Sequence, residues 1–199
     1  WQMKCSEYYF KPPYDLLKER LLQQEILHAD ETSYRVLESE TIKTYYWTFL
    51  SGKQEKKPII LYHHDPHRSG KVAIDFLGNF SGYHCDMWQA YKQLSSATLV
   101  GCWAHVRRKF KEAMPPTNKG KSLSKQGVHY CNRMFTLERS WEKLSNEERY
   151  QRRQKELKPL FEEFFDWCRN NQPMVLPGSK LGKAIAYALN HEETFKNVL

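Results

Sequence analysis

The hydrophobic period of this chain changes twice along its length. Residues 26–37 alternate, with Ile26, His28, Asp30, Thr32, Tyr34 and Val36 on one side, as a strand does. The aromatic and β-branched run 44–50, ended by Ser51-Gly52, and the apolar run 58–62 add two more strands, so the sequence predicts an antiparallel meander. The spacing then becomes helical. Ser69 can cap a helix that carries Ala73, Phe76, Leu77 and Phe80 at i, i+3, i+4 and i+7. A brief strand over 83–86, a helical stretch over 88–94, a strand over 98–102 and a helix from about Ala104 follow, the last with Val106, Phe110 and Ala113 inward. The expected order is three strands, helix, strand, helix, strand, helix: an α/β domain with a mixed sheet.

After Pro115-Pro116 no strand pattern remains. A basic loop over 120–125 leads into a helix over 126–144. Ser145 and Glu148 have the spacing of a capping box, starting a helix that runs toward residue 170 with a kink expected at Pro159. A last helix over 179–190 places Leu181, Ile185 and Ala188 on one face. Before the first strand, residues 1–25 are polar, with a helix expected over 14–24 after the Pro12-Pro13 breaker. The expected division is an N-terminal helical approach or linker (1–25), an α/β core (26–114) and a large all-α insertion (115–199).

The 199 residues are 40% hydrophobic and 14% aromatic, enough for a packed core rather than a disordered tail. No stretch approaches the roughly 20 apolar residues of a membrane-spanning helix, and no membrane partner is expected. The opening Trp1-Gln2-Met3-Lys4 has neither a secretory signal pattern nor an initiator Met, which suggests a piece of a longer protein. Five scattered cysteines without a Cys-x-x-Cys pair favour a reducing compartment. The formal net charge is +8, and residues 107–133 hold eight basic side chains against Glu112 alone. Such a window suits a polyanion-binding surface or a solvated basic face.

Asp30 lies mid-strand and would be costly to bury without a partner. Asp86 ends a later strand. Two carboxylates on sheet strands can converge on hard divalent cations; equally, Asp30 could lie at a strand end and Asp86 cap the helix after it. Cys102 and His105 have Cys-x-x-His spacing for zinc, though no second pair accompanies them, and a packed Cys beside a helix-start His is the alternative. His63-His64-Asp65-Pro66-His67 could bind a metal or form a polar loop. Arg107-Arg108-Lys109 could grip phosphates or face solvent. Trp88, Tyr91 and Trp103 could stack on bases or pack in the core. Gly120-Lys121-Ser122 lacks the first glycine of a phosphate-binding loop, and neither a Gly-x-Ser-x-Gly elbow nor a dinucleotide fingerprint is present.

Three strings, His28-Ala29-Asp30-Glu31-Thr32, Arg68-Ser69-Gly70 and Gly101-Cys102-Trp103-Ala104-His105-Val106-Arg107-Arg108-Lys109-Phe110, resemble the insertion sequence 66 family of bacterial DNA transposases. The likeness runs from about Tyr8 to the end, including Glu148-Arg149 and residues 179–187. It implies a ribonuclease-H-like core with an acidic triad of the Asp-Asp-Glu kind. Asp30 matches the first acid and Asp86 the second, although Met87-Trp88 stand where the family usually has Gly-Tyr. The family's third acid is a Glu that follows the helical insertion, in an Asp-Asn-Asn-x-x-Glu stretch that these residues do not include, so it is expected beyond Leu199; Glu192 and Glu193 match a segment upstream of it.

The resemblance further implies catalytic, metal-binding Asp30 and Asp86, a two-metal Mg²⁺ or Mn²⁺ site, and cleavage and strand transfer at transposon ends. Arg68, His105, Arg107, Arg108, Lys109 and Lys111 would contact double-stranded DNA of the ends and target. A homo-oligomer and a cytoplasmic, nucleoid-associated location are part of the same expectation. The alternative is a catalytically incomplete DNA-binding or regulatory fragment, and a third reading is a zinc-dependent structural module using Cys102 and His105.

Overall fold

The computed structural model describes residues 1–37, 42–53, 55–78, 80–85, 91, 94, 96–116 and 122–199, with the side chain of Cys85 not described. It divides into two compact units, Trp1–Val100 and Gly101–Leu199, each considered by itself.

In the first unit, β1 (Ile26–Tyr34), β2 (Thr44–Ser51), β3 (Ile60–Asp65), β4 (Tyr83–Cys85) and β5 (Thr98–Val100) form a mixed sheet in the order β3-β2-β1-β4-β5. β1 pairs antiparallel with β2, and β2 with β3, as the three consecutive strand patterns lead one to expect. β4 pairs parallel with β1, and β5 with β4. The crossover from β3 to β4 carries α3 (Gly70–Leu77), capped by the Ser69 hydroxyl, which accepts from the Lys71 N–H. Its Ala73, Phe76 and Leu77 are buried, as their spacing predicts.

The core face of β1 is not the one its first alternating residues suggest. Leu27 and Ala29 are buried, together with Trp47 and Phe49 of β2 and Leu61 of β3, and Phe76 stacks on Phe49 at 3.7 Å. The side chains of Ile26 and Asp30 lie on the other, exposed face. Leu27 and Ala29 bury more apolar surface than an aspartate-bearing face could, which decides the register.

Two further expectations shift. The His63-His64-Asp65 segment is strand, not loop: Trp47 and Tyr46 pair with His63 and His64, and the buried Thr44 hydroxyl lies 2.5 Å from His64 Nε2. Pro12 and Pro13 do not precede the first helix but lie in the opening turns of α2 (Lys11–Leu22), which continues α1 (Gln2–Cys5) through a π-helical segment, Ser6–Phe10. A proline inside a helical run lacks the N–H and crowds the carbonyl four residues back, so the ladder there widens.

The second unit is helical: α4 (Trp103–Glu112), α5 (Leu123–Ser140), α6 (Asn146–Arg152), α7 (Lys158–Asn171), α8 (Lys180–Asn190) and α9 (Glu192–Lys196). The expected capping box is present, Ser145 N–H donating to Glu148 Oε2 at 3.0 Å and Glu148 N–H to Ser145 Oγ at 3.3 Å. Pro159 produces the same response as Pro12 and Pro13, a π-helical segment (Arg153–Leu157) immediately before α7. Ser122 caps α5, so Leu123–Lys125 are helical rather than loop. Trp103 joins Phe161, Phe164, Phe165 and Phe195 in an aromatic core at centroid distances of 4.5–5.9 Å, which answers whether it packs or stacks on bases.

Candidate functional site

Asp30 sits on the strand at the middle of the sheet, opposite Thr48 of β2, and is exposed. No burial cost therefore attaches to it. Its Oδ1 accepts the Glu31 N–H at 3.0 Å, which orients the carboxylate without neutralising it. On the same strand, His28 is half-buried, and burial lowers its pKa, favouring the neutral ring. Asp86 lies outside the described residues. The residue before it, Cys85, is paired with His28, two positions from Asp30 along β1. Trp88 also lies outside the described residues.

The neighbour of Asp30 points the other way. Glu31 stands opposite Trp47 on the core face, with its side chain only 8% exposed, and Arg68 closes over it. Both Arg68 Nε, at 2.6 Å, and Arg68 Nη2 donate to Glu31 Oε1. Two of the three strings noted in the sequence are thus tied together by one ion pair. Sequence reasoning assigned Arg68 to DNA and gave Glu31 no role. The signal was available, since Glu31 shares the parity of Leu27 and Ala29 and so had to be buried and paired.

His84 is fully buried beside Leu27, with its ring 4.1 Å from that of Tyr91. Burial, and secondarily His28, pushes its pKa down to about 4, so the ring is neutral at physiological pH. Tyr91 is buried, in keeping with core packing.

His105, Arg107, Arg108, Lys109 and Lys111 all lie on α4, in the second unit. Val106 and Phe110 face inward, Arg108 and Lys111 are exposed, and Arg107, Lys109 and His105 are half-buried. Arg107 Nε donates to Asn132 Oδ1 at 2.7 Å, and Lys109 Nζ lies 4.6 Å from the centroid of the Tyr187 ring. Cys102 is the N-cap residue of α4, and its carbonyl accepts the His105 N–H at 3.0 Å. Among the described residues no group of three or more His, Cys, Asp or Glu side chains could hold a metal ion.

Residues 1–199 match the sequence profile described as "Transposase IS66 family". The chain belongs to that family. Among curated proteins it is 27% identical to the uncharacterized protein y4hP of Sinorhizobium fredii, over 92% of this chain and 38% of the relative. The uncharacterized protein y4qI of the same organism is 25% identical, over 93% of this chain and 37% of the relative. The chain therefore spans about two-fifths of the length of these relatives. No solved structure matches. No helix among the described residues is long and apolar enough to cross a membrane.

Proposed function

We propose that this chain is the catalytic-core portion of a DNA transposase that cleaves and joins strands at transposon ends by metal-dependent phosphoryl transfer. The observation that carries the reading is the placement of Asp30: an exposed, oriented carboxylate on the central strand, beside the parallel strand that leads into Asp86. The sheet order β3-β2-β1-β4-β5, antiparallel through three strands and parallel beyond, supports a ribonuclease-H-like core. The division into an approach (1–25), a core (26–114) and a helical insertion (115–199) belongs to the same proposal.

The donor chemistry at Asp30 fits a hard cation. One carboxylate oxygen accepts a single backbone N–H and the side chain stays solvent-facing, so oxygen lone pairs remain for Mg²⁺ or Mn²⁺. Asp30 and Asp86, with one further acid, would hold two such ions, whose charge would be supplied to the attacking and leaving oxygens of the transferred phosphoryl group. Within the chain, Glu31 N–H fixes the Asp30 carboxylate and the Arg68–Glu31 pair braces β1 at that position. His105, Arg107, Arg108, Lys109 and Lys111 would hold DNA phosphates without reading sequence, and Arg68 would offer the solvent-facing part of its guanidinium.

The test is strand cleavage by the complete protein in Mg²⁺ or Mn²⁺. Asp30→Asn and Asp86→Asn are expected to abolish cleavage while duplex binding survives. Cleavage persisting in both variants sinks the metal-site assignment. A wild-type protein that binds DNA but never cuts it would instead be a regulatory DNA-binding chain.

A further inference from the structure

The cations of the second unit fall into two classes. On α5, α6, α7, α9 and the π-helical segment before α7, five are neutralised: Arg133 by Glu163, Arg152 by Glu156, Arg153 by Glu138, Arg169 by Asp166 and Glu192, and Lys196 by Glu192. The arginines and lysines of α4 and α8 form the other class. Among the described residues, Arg107, Arg108, Lys109, Lys111, Lys180 and Lys183 have no carboxylate partner. α8 has no acidic residue at all, and α4 only Glu112.

Packing joins these helices into one surface. α4 lies against both α5 and α8. Lys109 reaches over Tyr187, and Lys180, Lys183 and Tyr187 share one stripe of α8 by their i, i+3 and i+7 spacing. On the other side Arg107 is tied to Asn132 of α5. The two helices are close because residue 127 is glycine: a Cβ there would run into the Phe110 ring. Arg108 and Lys111 point outward between the flanking helices. Helix axes pack roughly 8–10 Å apart, so the three-helix face is about 16–20 Å wide.

We infer that the face formed by α4 and α8, bordered by α5, is a binding surface for the backbone of duplex DNA, and that Lys180 and Lys183 are phosphate contacts of equal standing with Arg108 and Lys111. The inference rests on the transposase reading for its choice of DNA over other polyanions, but not on the metal site. Unpaired charge on a broad face suits a regular lattice of phosphates. A protein partner would need apolar anchors at the centre of the face. A single strand would need exposed rings to stack on, whereas Trp103 and Phe110 are turned into the core and Tyr187 lies beneath Lys109.

The experiment measures binding of a fluorescent 30-base-pair duplex by the complete protein in EDTA, across a NaCl series. Three double variants are compared: Lys180→Gln/Lys183→Gln on α8, Arg108→Gln/Lys111→Gln on α4, and Lys143→Gln/Lys158→Gln as a charge-matched control outside α4, α5 and α8. Each phosphate contact contributes about 0.9 to the slope of log K against log salt, so each face variant should lose roughly 1–2 from that slope and about 10–30-fold in affinity at 0.15 M NaCl. The control should change less than about 2-fold, and thermal melts verify that all three are folded. An α8 variant with wild-type slope and affinity overturns the inference, and if that variant also cleaves normally the transposase reading survives it. A wild-type protein without measurable duplex affinity overturns both. Tenfold preference for duplex RNA of the same length overturns the choice of DNA.

Discussion

Removing Arg68 would isolate a carboxylate that the fold has nearly closed off from water. The Glu31 side chain is 8% exposed and the Arg68 side chain 48% exposed, with two guanidinium N–H groups on one carboxylate oxygen. Hydrogen bonds to charged groups contribute about 1.5–3 kcal/mol, and fully exposed ion pairs about 0.2–1 kcal/mol. With one partner buried and the other half in water, the pair falls between these limits, at about 1–2 kcal/mol. A double-mutant cycle of Arg68→Ala, Glu31→Ala and the double variant, followed by urea unfolding, isolates that coupling. Arg68→Ala should be the more damaging single change, because it leaves the buried charge unpaired. Arg68→Lys should recover less than half the loss, since one ammonium cannot place two fixed N–H groups on the same oxygen. Raising NaCl tenfold should leave most of the coupling intact, because the carboxylate is shielded from counterions. A coupling below about 0.3 kcal/mol would refute this reasoning and return Arg68 to the ordinary surface cations.

Two other perturbations probe the second unit. Gly127→Ala drives a methyl group into the Phe110 ring, and overpacking costs about 1–3 kcal/mol against a helix-propensity gain of up to about 1 kcal/mol, so a net loss in urea stability is expected. An unchanged or higher midpoint would mean that α4 and α5 separate freely. Burial raises the thiol pKa of Cys131 to about 12 and pushes that of Cys168 up as well. Both should stay unmodified by a thiol reagent at pH 8 in the folded protein while the half-buried Cys5 and Cys102 react. In the unfolded chain these two thiols ionise near their ordinary value of about 8.5–9, whereas in the folded protein they stay protonated, so stability should fall as pH rises from about 9 toward 12. Replacing Cys131 and Cys168 with serine or alanine should flatten that alkaline limb. A limb that persists unchanged would assign it to other groups.

Much of the fold was legible because period and punctuation are local properties. The three consecutive strand patterns, the Ser69 cap with its apolar spacing and the Ser145–Glu148 box each needed only neighbouring residues to specify them, and all are present. The side of β1 that faces the core was not local. It depended on Leu27 and Ala29 meeting Phe49 and Leu61 from strands 20 or more residues away. The same long-range pairing drew His63-His64-Asp65 into β3, where polar composition alone suggested a loop.

What the sequence determined by itself was the family, through short strings whose residue types are legible in any conformation, and the positions of the acids and cations within them. Which charges are spent within the molecule was decided only by tertiary structure. Arg68 looked as available as Arg108, yet it is committed to Glu31, while Lys180 and Lys183, 72 or more positions beyond Arg108, join α4 on one face. The reason is physical: whether a charge is neutralised depends on what lies within a few ångströms in space, and sequence distance carries almost none of that information.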